Sequence, residues 1–134
     1  MAAYERKDYA TAFPKFLSSA QQGNAAARAL VGLMYHEGLG VAQSDLAAVR
    51  WYQVAAQQGH HRAQHNLARM YGLGQGVAQD YVRAHMWFNI AATAGDKDSV
   101  KNRDIAASKM TPQQIEQAQR MAQECMASNF KKCD

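Results

Sequence analysis

The chain has little from which to build a sheet. Isoleucine, valine and threonine are sparse among its 134 residues, while alanine and glutamine abound, a balance that favours helix over strand. No apolar run approaches the roughly 20 residues of a membrane-crossing helix, so no membrane insertion is expected. There are only two cysteines, and they lack the C-x-x-C spacing of a redox pair, so thiol catalysis is not expected. Basic residues are not clustered. The net charge of +4 is spread along the chain; it permits an acidic partner but falls short of a nucleic-acid signature. The opening stretch MAAYERKDYA carries charge by residue 5, so no signal peptide is read there. That leaves either a cytosolic chain or one whose leader has been removed.

What is present is apolar content and repetition. At 48% hydrophobic residues the chain can bury the core of one domain. Residues 27–59 laid on 63–95, an offset of 36, give 13 identities in 33 positions, where chance gives roughly two. Among them are Tyr35/Tyr71, Gly38/Gly74, Gly40/Gly76, Val41/Val77, Gln43/Gln79, Trp51/Trp87 and Gly59/Gly95. A partial copy precedes them, with Asp8 and Tyr9 matching Asp80 and Tyr81, and Gln21-Gln22-Gly23 matching Gln57-Gln58-Gly59. A period of this length marks a helical solenoid.

Each unit reads as two helices. Ala63, Leu67, Met70 and Tyr71 fall on one face of a first helix. His85, Trp87, Phe88, Ala91 and Ala92 mark a second, starting near Asp80 as its cap. The glycines between them could suggest a phosphate loop, but no strand precedes them and no Lys-Ser/Thr pair closes the turn, as a P-loop requires. They are expected to turn the chain between antiparallel helices. The repeated aromatics Trp51, Trp87, Tyr35 and Tyr71 are expected in the core between repeats. Pro14 falls inside the second helix of the partial unit and is expected to kink it. After residue 97 the pattern decays, and Thr111-Pro112-Gln113-Gln114 restarts a helix with a capping box. Its stripe of Ile115, Ala118, Ala122, Cys125 and Met126 suits a cover for the solenoid end. Cys125 and Cys133, read from the residues alone, are either a pair closed by the returning tail or two separate thiols in a reducing cytosol.

The stretches AAARALVGLMYHEGLGVAQSDLAAVRWYQVAAQQGH and HRAQHNLARMYGLGQGVAQDYVRAHMWFNIAATAGD resemble Sel-1-like repeats (SLR), relatives of the tetratricopeptide repeat. The resemblance covers roughly residues 1 to 97, on L-G-x-M-Y, G-x-G-V and W-Y/F-x-x-A-A-x-x-G. It departs where Ala68 replaces the glycine kept at Gly32 and Ser44 the aspartate kept at Asp80. It implies an all-α, α/α superhelical solenoid of antiparallel helix pairs. The expected division is a partial unit over 1–23, repeats over 24–59 and 60–95, a degenerate helix over 96–110, a capping helix over 111–130 and a tail over 131–134. It also implies a non-catalytic adaptor, common in bacterial assemblies or envelope processes. Secreted cysteine-rich members carry cysteines at similar spacing, which implies a Cys125–Cys133 disulfide and a periplasmic or secreted location, with the cytoplasm as the alternative.

No catalytic motif stands out, and no cofactor or metal is expected. His61 and His65, at i and i+4, could offer two nitrogens to a metal, but no cysteine or second histidine pair accompanies them, so they are read as solvated. Ser128-Asn129-Phe130-Lys131 spells the S-x-x-K of penicillin-recognising enzymes without their S-D-N and K-T-G elements. Because some secreted SLR proteins have been linked to penicillin binding, weak β-lactam binding or hydrolysis is the alternative function. The preferred partner is a protein or peptide, bound by a monomer. Arg62, His65, Arg69 and Leu73 fall between the core positions of their helix and so face away from it. One unit earlier the corresponding residues are Ala26, Ala29, Leu33 and Glu37, with His36 beside them. By similarity with tetratricopeptide repeats these line a groove, expected to be apolar at the first repeat and basic at the second, fit for an apolar anchor followed by carboxylates.

Overall fold

The computed structural model describes residues 8–133; residues 1–7, part of the expected N-terminal unit, and Asp134 lie outside. The described residues form seven helices and no strand. They are α1 (Tyr9–Gln21), α2 (Ala25–Glu37), α3 (Asp45–Gln57), α4 (His61–Leu73), α5 (Tyr81–Thr93), α6 (Lys97–Ala107) and α7 (Pro112–Ala127). Each of α1 to α5 packs on the helix that follows it, and α7 lies against α5. The result is an all-α helical repeat solenoid.

Local chemistry sets each boundary. A side chain caps every helix N-terminus by accepting a backbone N–H three residues on, which satisfies a group the helix itself leaves unpaired. Asp8, Asn24, Ser44, Asp80 and Asp96 do so with oxygen. Ser44 therefore performs the same task as the aspartate it stands in for. His60 is the unusual cap: its Nδ1 accepts from the Ala63 N–H at 3.1 Å. Thr111 and Gln114 cap each other reciprocally, with bonds of 2.9 and 3.2 Å. α1 runs on through Pro14 as one helix.

The repeated loop residues each have a partner. Gly38 and Gly74 end α2 and α4 at φ 69° and 67°, where a side chain is disfavoured. The N–H groups of Ser44 and Asp80 donate to the carbonyls of Tyr35 and Tyr71, both at 2.9 Å. The Gln43 and Gln79 amides donate to the carbonyls of His36 and Gly72. The second glycine of each loop does more than turn the chain. A Cβ on Gly40 would strike the Tyr9 backbone, and one on Gly76 the Asp45 backbone. Each loop thus seats directly on the start of the preceding unit's second helix.

Trp87 is 3% exposed and lies in the main core with Tyr52, Leu67, Phe88 and Ile90. Tyr35 and Trp51 are only partly buried; Trp51 sits against the smaller cluster of α1 and α2. At the other end a disulfide joins Cys125 to Cys133, with Cα atoms 4.4 Å apart. Asn129 and Phe130 turn the tail through left-handed conformations at φ 57° and 65°. The Phe130 ring then lies where a Cβ on Gly59 would meet it at 3.2 Å.

Candidate functional site

Two clefts open between successive first helices. The smaller, of about 130 Å³, lies between α2 and α4 over Tyr52 of α3. The larger, of about 240 Å³, lies between α4 and α6 over Phe88 of α5. They obey the sequence period. Leu33, Glu37, Tyr52, Asn66 and Met70 of the first become Arg69, Leu73, Phe88, Asn102 and Ala106 of the second, each 36 residues on. Leu33, Arg69 and Ile105 occupy one position in three consecutive first helices, so Arg69 is a wall of both clefts. Of the positions lining both, only Asn66 and Asn102 are the same residue.

The two differ in chemistry. The smaller cleft carries His36, Glu37, Asn66 and Gln75 beside Leu33 and Met70. Tyr52 is 1% exposed; burial, with the Glu37 carboxylate adding to it, pushes its hydroxyl pKa well above the usual tyrosine range. His36 is held by Asp45, Nδ1 to Oδ1 at 2.8 Å. The larger cleft is walled by Leu73, Tyr81, Phe88, Ile105 and Ala106, with Arg69 and Lys109 as its only charges. Leu73 and Ile105 are 59% and 50% exposed. The Lys109 ammonium stands 5.6 Å from the Tyr81 ring centroid, within cation–π range. The second-repeat end thus carries basic residues as expected but also holds the apolar surface, whereas the first-repeat end, expected to be apolar, is polar.

Leu33, His36, Glu37, Arg69 and Leu73 line these clefts, but Arg62 and His65 do not. His65 is 3% exposed, which corrects its reading as an open-face residue. Its Nδ1 lies 2.8 Å from the Ser99 hydroxyl, and its ring meets Phe88 edge-on at 5.5 Å. Burial, and then Arg62, holds its pKa below the usual histidine value. Arg62 is drawn to the start of α6, 3.3 Å from Asp96 and 3.8 Å from Asp98. Burial disfavours the Asp96 carboxylate, yet the Ser99 N–H, His65 and Arg62 together hold its pKa below normal. These side chains fasten α6 to α4 and help fix the far wall of the larger cleft. Sequence reasoning missed this because Ser99 and Asp96 lie more than 30 residues along, in a segment without the repeat's motif. It also missed Asn66, Asn102, Ile105 and Lys109, whose signal was the period itself carried one unit further.

The described residues contain no group of three or more metal-ligating side chains. The Ser128 hydroxyl donates to the Cys125 carbonyl at 2.9 Å and accepts the N–H groups of Lys131 and Lys132 at 3.2 and 2.8 Å. It closes a turn in the tail and is saturated by backbone.

Residues 25–60 and 61–96 each match the Sel1 repeat. The chain belongs to the Sel1 repeat family. It resembles a protective antigen present in uropathogenic Escherichia coli strains that displays an SLR fold, at TM-score 0.87 and 31% identity over 92% of this chain. It also resembles a Sel1 repeat protein from Oxalobacter formigenes, at TM-score 0.72 and 34% identity over 75% of this chain. The chain spans 28% of the first of these proteins and 42% of the second. No curated protein matches it. Sel1 repeats generally mediate protein–protein interaction on a non-catalytic scaffold. Among the described residues, no helix of this one is long and apolar enough to cross a membrane.

Proposed function

We propose that this chain is a non-catalytic adaptor whose concave face, made by α2, α4 and α6, holds a segment of another protein. The observation that carries this reading is Arg69. It is exposed, walls both clefts, and has no ion pair or hydrogen bond among the described residues. A guanidinium left free beside apolar surface suits a carboxylate partner, which it can grip with two parallel bonds. Leu33, His36, Glu37 and Leu73 belong to the same surface, while Arg62 and His65 support it from below. The disulfide favours an oxidising compartment, periplasmic or extracellular, and the chain acts as a monomer. β-Lactam chemistry finds no support, because Ser128 is occupied by backbone.

The test is crosslinked capture of partners from the source cells by the wild-type chain and by Arg69→Glu. Captured proteins should be lost with the variant, while its stability stays within about 0.5 kcal/mol, as for other surface changes. An unchanged set of partners at both low and moderate salt would place the interface elsewhere.

A further inference from the structure

We propose that the two clefts are successive copies of one niche, and that a single extended peptide segment crosses both. In this proposal the segment sets an apolar anchor, with an adjacent carboxylate, in the larger niche. The inference rests on the adaptor reading of this face and specifies its partner. The first support is the asparagine pair. Every other lining position common to the clefts changes between the repeats, yet Asn66 and Asn102 persist. Neither side-chain amide has a hydrogen-bond partner among the described residues. A constant residue suits the constant part of a ligand, and an amide offers the one donor and one acceptor that a peptide unit requires. The side chains that vary around it then read the side chains of the segment.

The second support is a missing loop. Gly40 seats on the Tyr9 backbone and Gly76 on the Asp45 backbone; one period further on, the position is Pro112 and the corresponding helix start is Tyr81. Pro112 instead begins α7, and Thr111, the counterpart of Gln75, caps that helix. Gln75 helps line the smaller cleft, whereas its counterpart Thr111 does not line the larger one. Tyr81 is thereby left as a lining residue of the more spacious niche. Charge then selects the occupant. Arg69 and Lys109 flank the apolar walls, and no carboxylate lines them. An aliphatic or aromatic side chain beside Asp or Glu meets all of these groups. A neutral polar side chain suits the smaller niche, where Glu37 stands beside amides.

The probe is a library of short random peptides displayed on phage and selected on the whole chain, with enriched sequences then synthesised for affinity measurement. Enrichment of an apolar residue adjacent to Asp or Glu is expected. Affinity should fall at least roughly tenfold in Ile105→Glu, and roughly tenfold in the double variant Asn66→Ala, Asn102→Ala, the scale of lost hydrogen bonds. Both variants should retain the helical circular dichroism of the parent, since all three residues are at least partly exposed. Enrichment of basic or wholly polar segments would overturn the niche proposal alone. So would binding that ignores Ile105 and the asparagines but is lost with Arg69→Glu. Failure to enrich any peptide, or binding indifferent to all of these variants, would overturn the adaptor reading as well.

Discussion

The two full repeats and the C-terminal unit solve the same packing problem with different parts. In the repeats, helices of 13 residues are joined by glycine loops that seat on the unit before. The buried surface there includes the large aromatics Tyr52, Trp87 and Phe88. In the last unit, α6 shortens to 11 residues and α7 lengthens to 16. Its buried residues are small: Ser99, Ala106, Ala118, Ala122 and the two cysteines. A disulfide closing a short loop takes the place of side-chain volume. A unit that must receive a neighbour is defined by backbone fit. The C-terminal unit is held by a covalent clasp.

That contrast is broken or sharpened by graded substitutions. The largest effect belongs to the aromatic core: Trp87→Ala should cost about 3–5 kcal/mol in urea unfolding. Trp51→Ala, at the equivalent but partly covered position, should cost about half as much. Equal losses would mean that the two repeats are buried alike. Cys133→Ser should cost about 2–3 kcal/mol on the chain-entropy account. Its increased hydrogen exchange should be confined to α7 and the tail, so exchange spreading through α2–α5 would contradict the division. Peptide mass mapping of protein from its native compartment should find the bridge intact there, and free thiols would remove the basis for an oxidising location.

A gentler effect is the dependence on pH. Burial depresses the histidine pKa at His60, His65 and His85, reinforced by His61, Arg62 and Arg103 respectively. The folded state disfavours the charged form of each, so the unfolded chain binds more protons as pH falls below the ordinary histidine pKa of about 6.5. The stability these groups contribute is complete above that pH and is lost as pH falls through the depressed folded values. Protonating His60 also removes the acceptor that caps α4, and the buried Nδ1 of His85 has no hydrogen-bond partner to favour the charged form. Thermal melts from pH 7.5 to 5 should show a declining midpoint, and His60→Asp, which restores an oxygen cap, should flatten part of the decline. A midpoint that rises on acidification would contradict this assignment.

The fold was legible because its signal is periodic. Tyr35 and Tyr71, the paired glycines and the VAQ stretches announce their structural equivalence before any contact is known, and Gln79 can be matched to Gln43 without knowing what either touches. The site was legible only in part, because a helix face stays open or closes according to which neighbouring helix packs on it. His65 and Arg69 lie four residues apart on the same helix. Ser99 covers the first, while the second stays exposed. No local pattern separates them, since α6 reaches α4 through Asp96 and Ser99 in a segment that has lost the repeat's motif. Trp51 and Trp87 differ for a related reason: identical residues at equivalent positions are covered by different neighbours, Trp51 by the α1–α2 cluster and Trp87 by the main core.

Central to this account is a face, made by α2, α4 and α6, that receives a partner segment across two equivalent niches. Amide chemical-shift mapping of the isotopically labelled chain, titrated with a selected acidic peptide, tests it most directly. Shifts are expected for the Asn66 and Asn102 side-chain amides together, with Leu33, Arg69 and Ile105, and little change on the outer surfaces of α1, α3 and α7. Shifts centred on α7 and the disulfide tail, or at only one of the two asparagines, would contradict it.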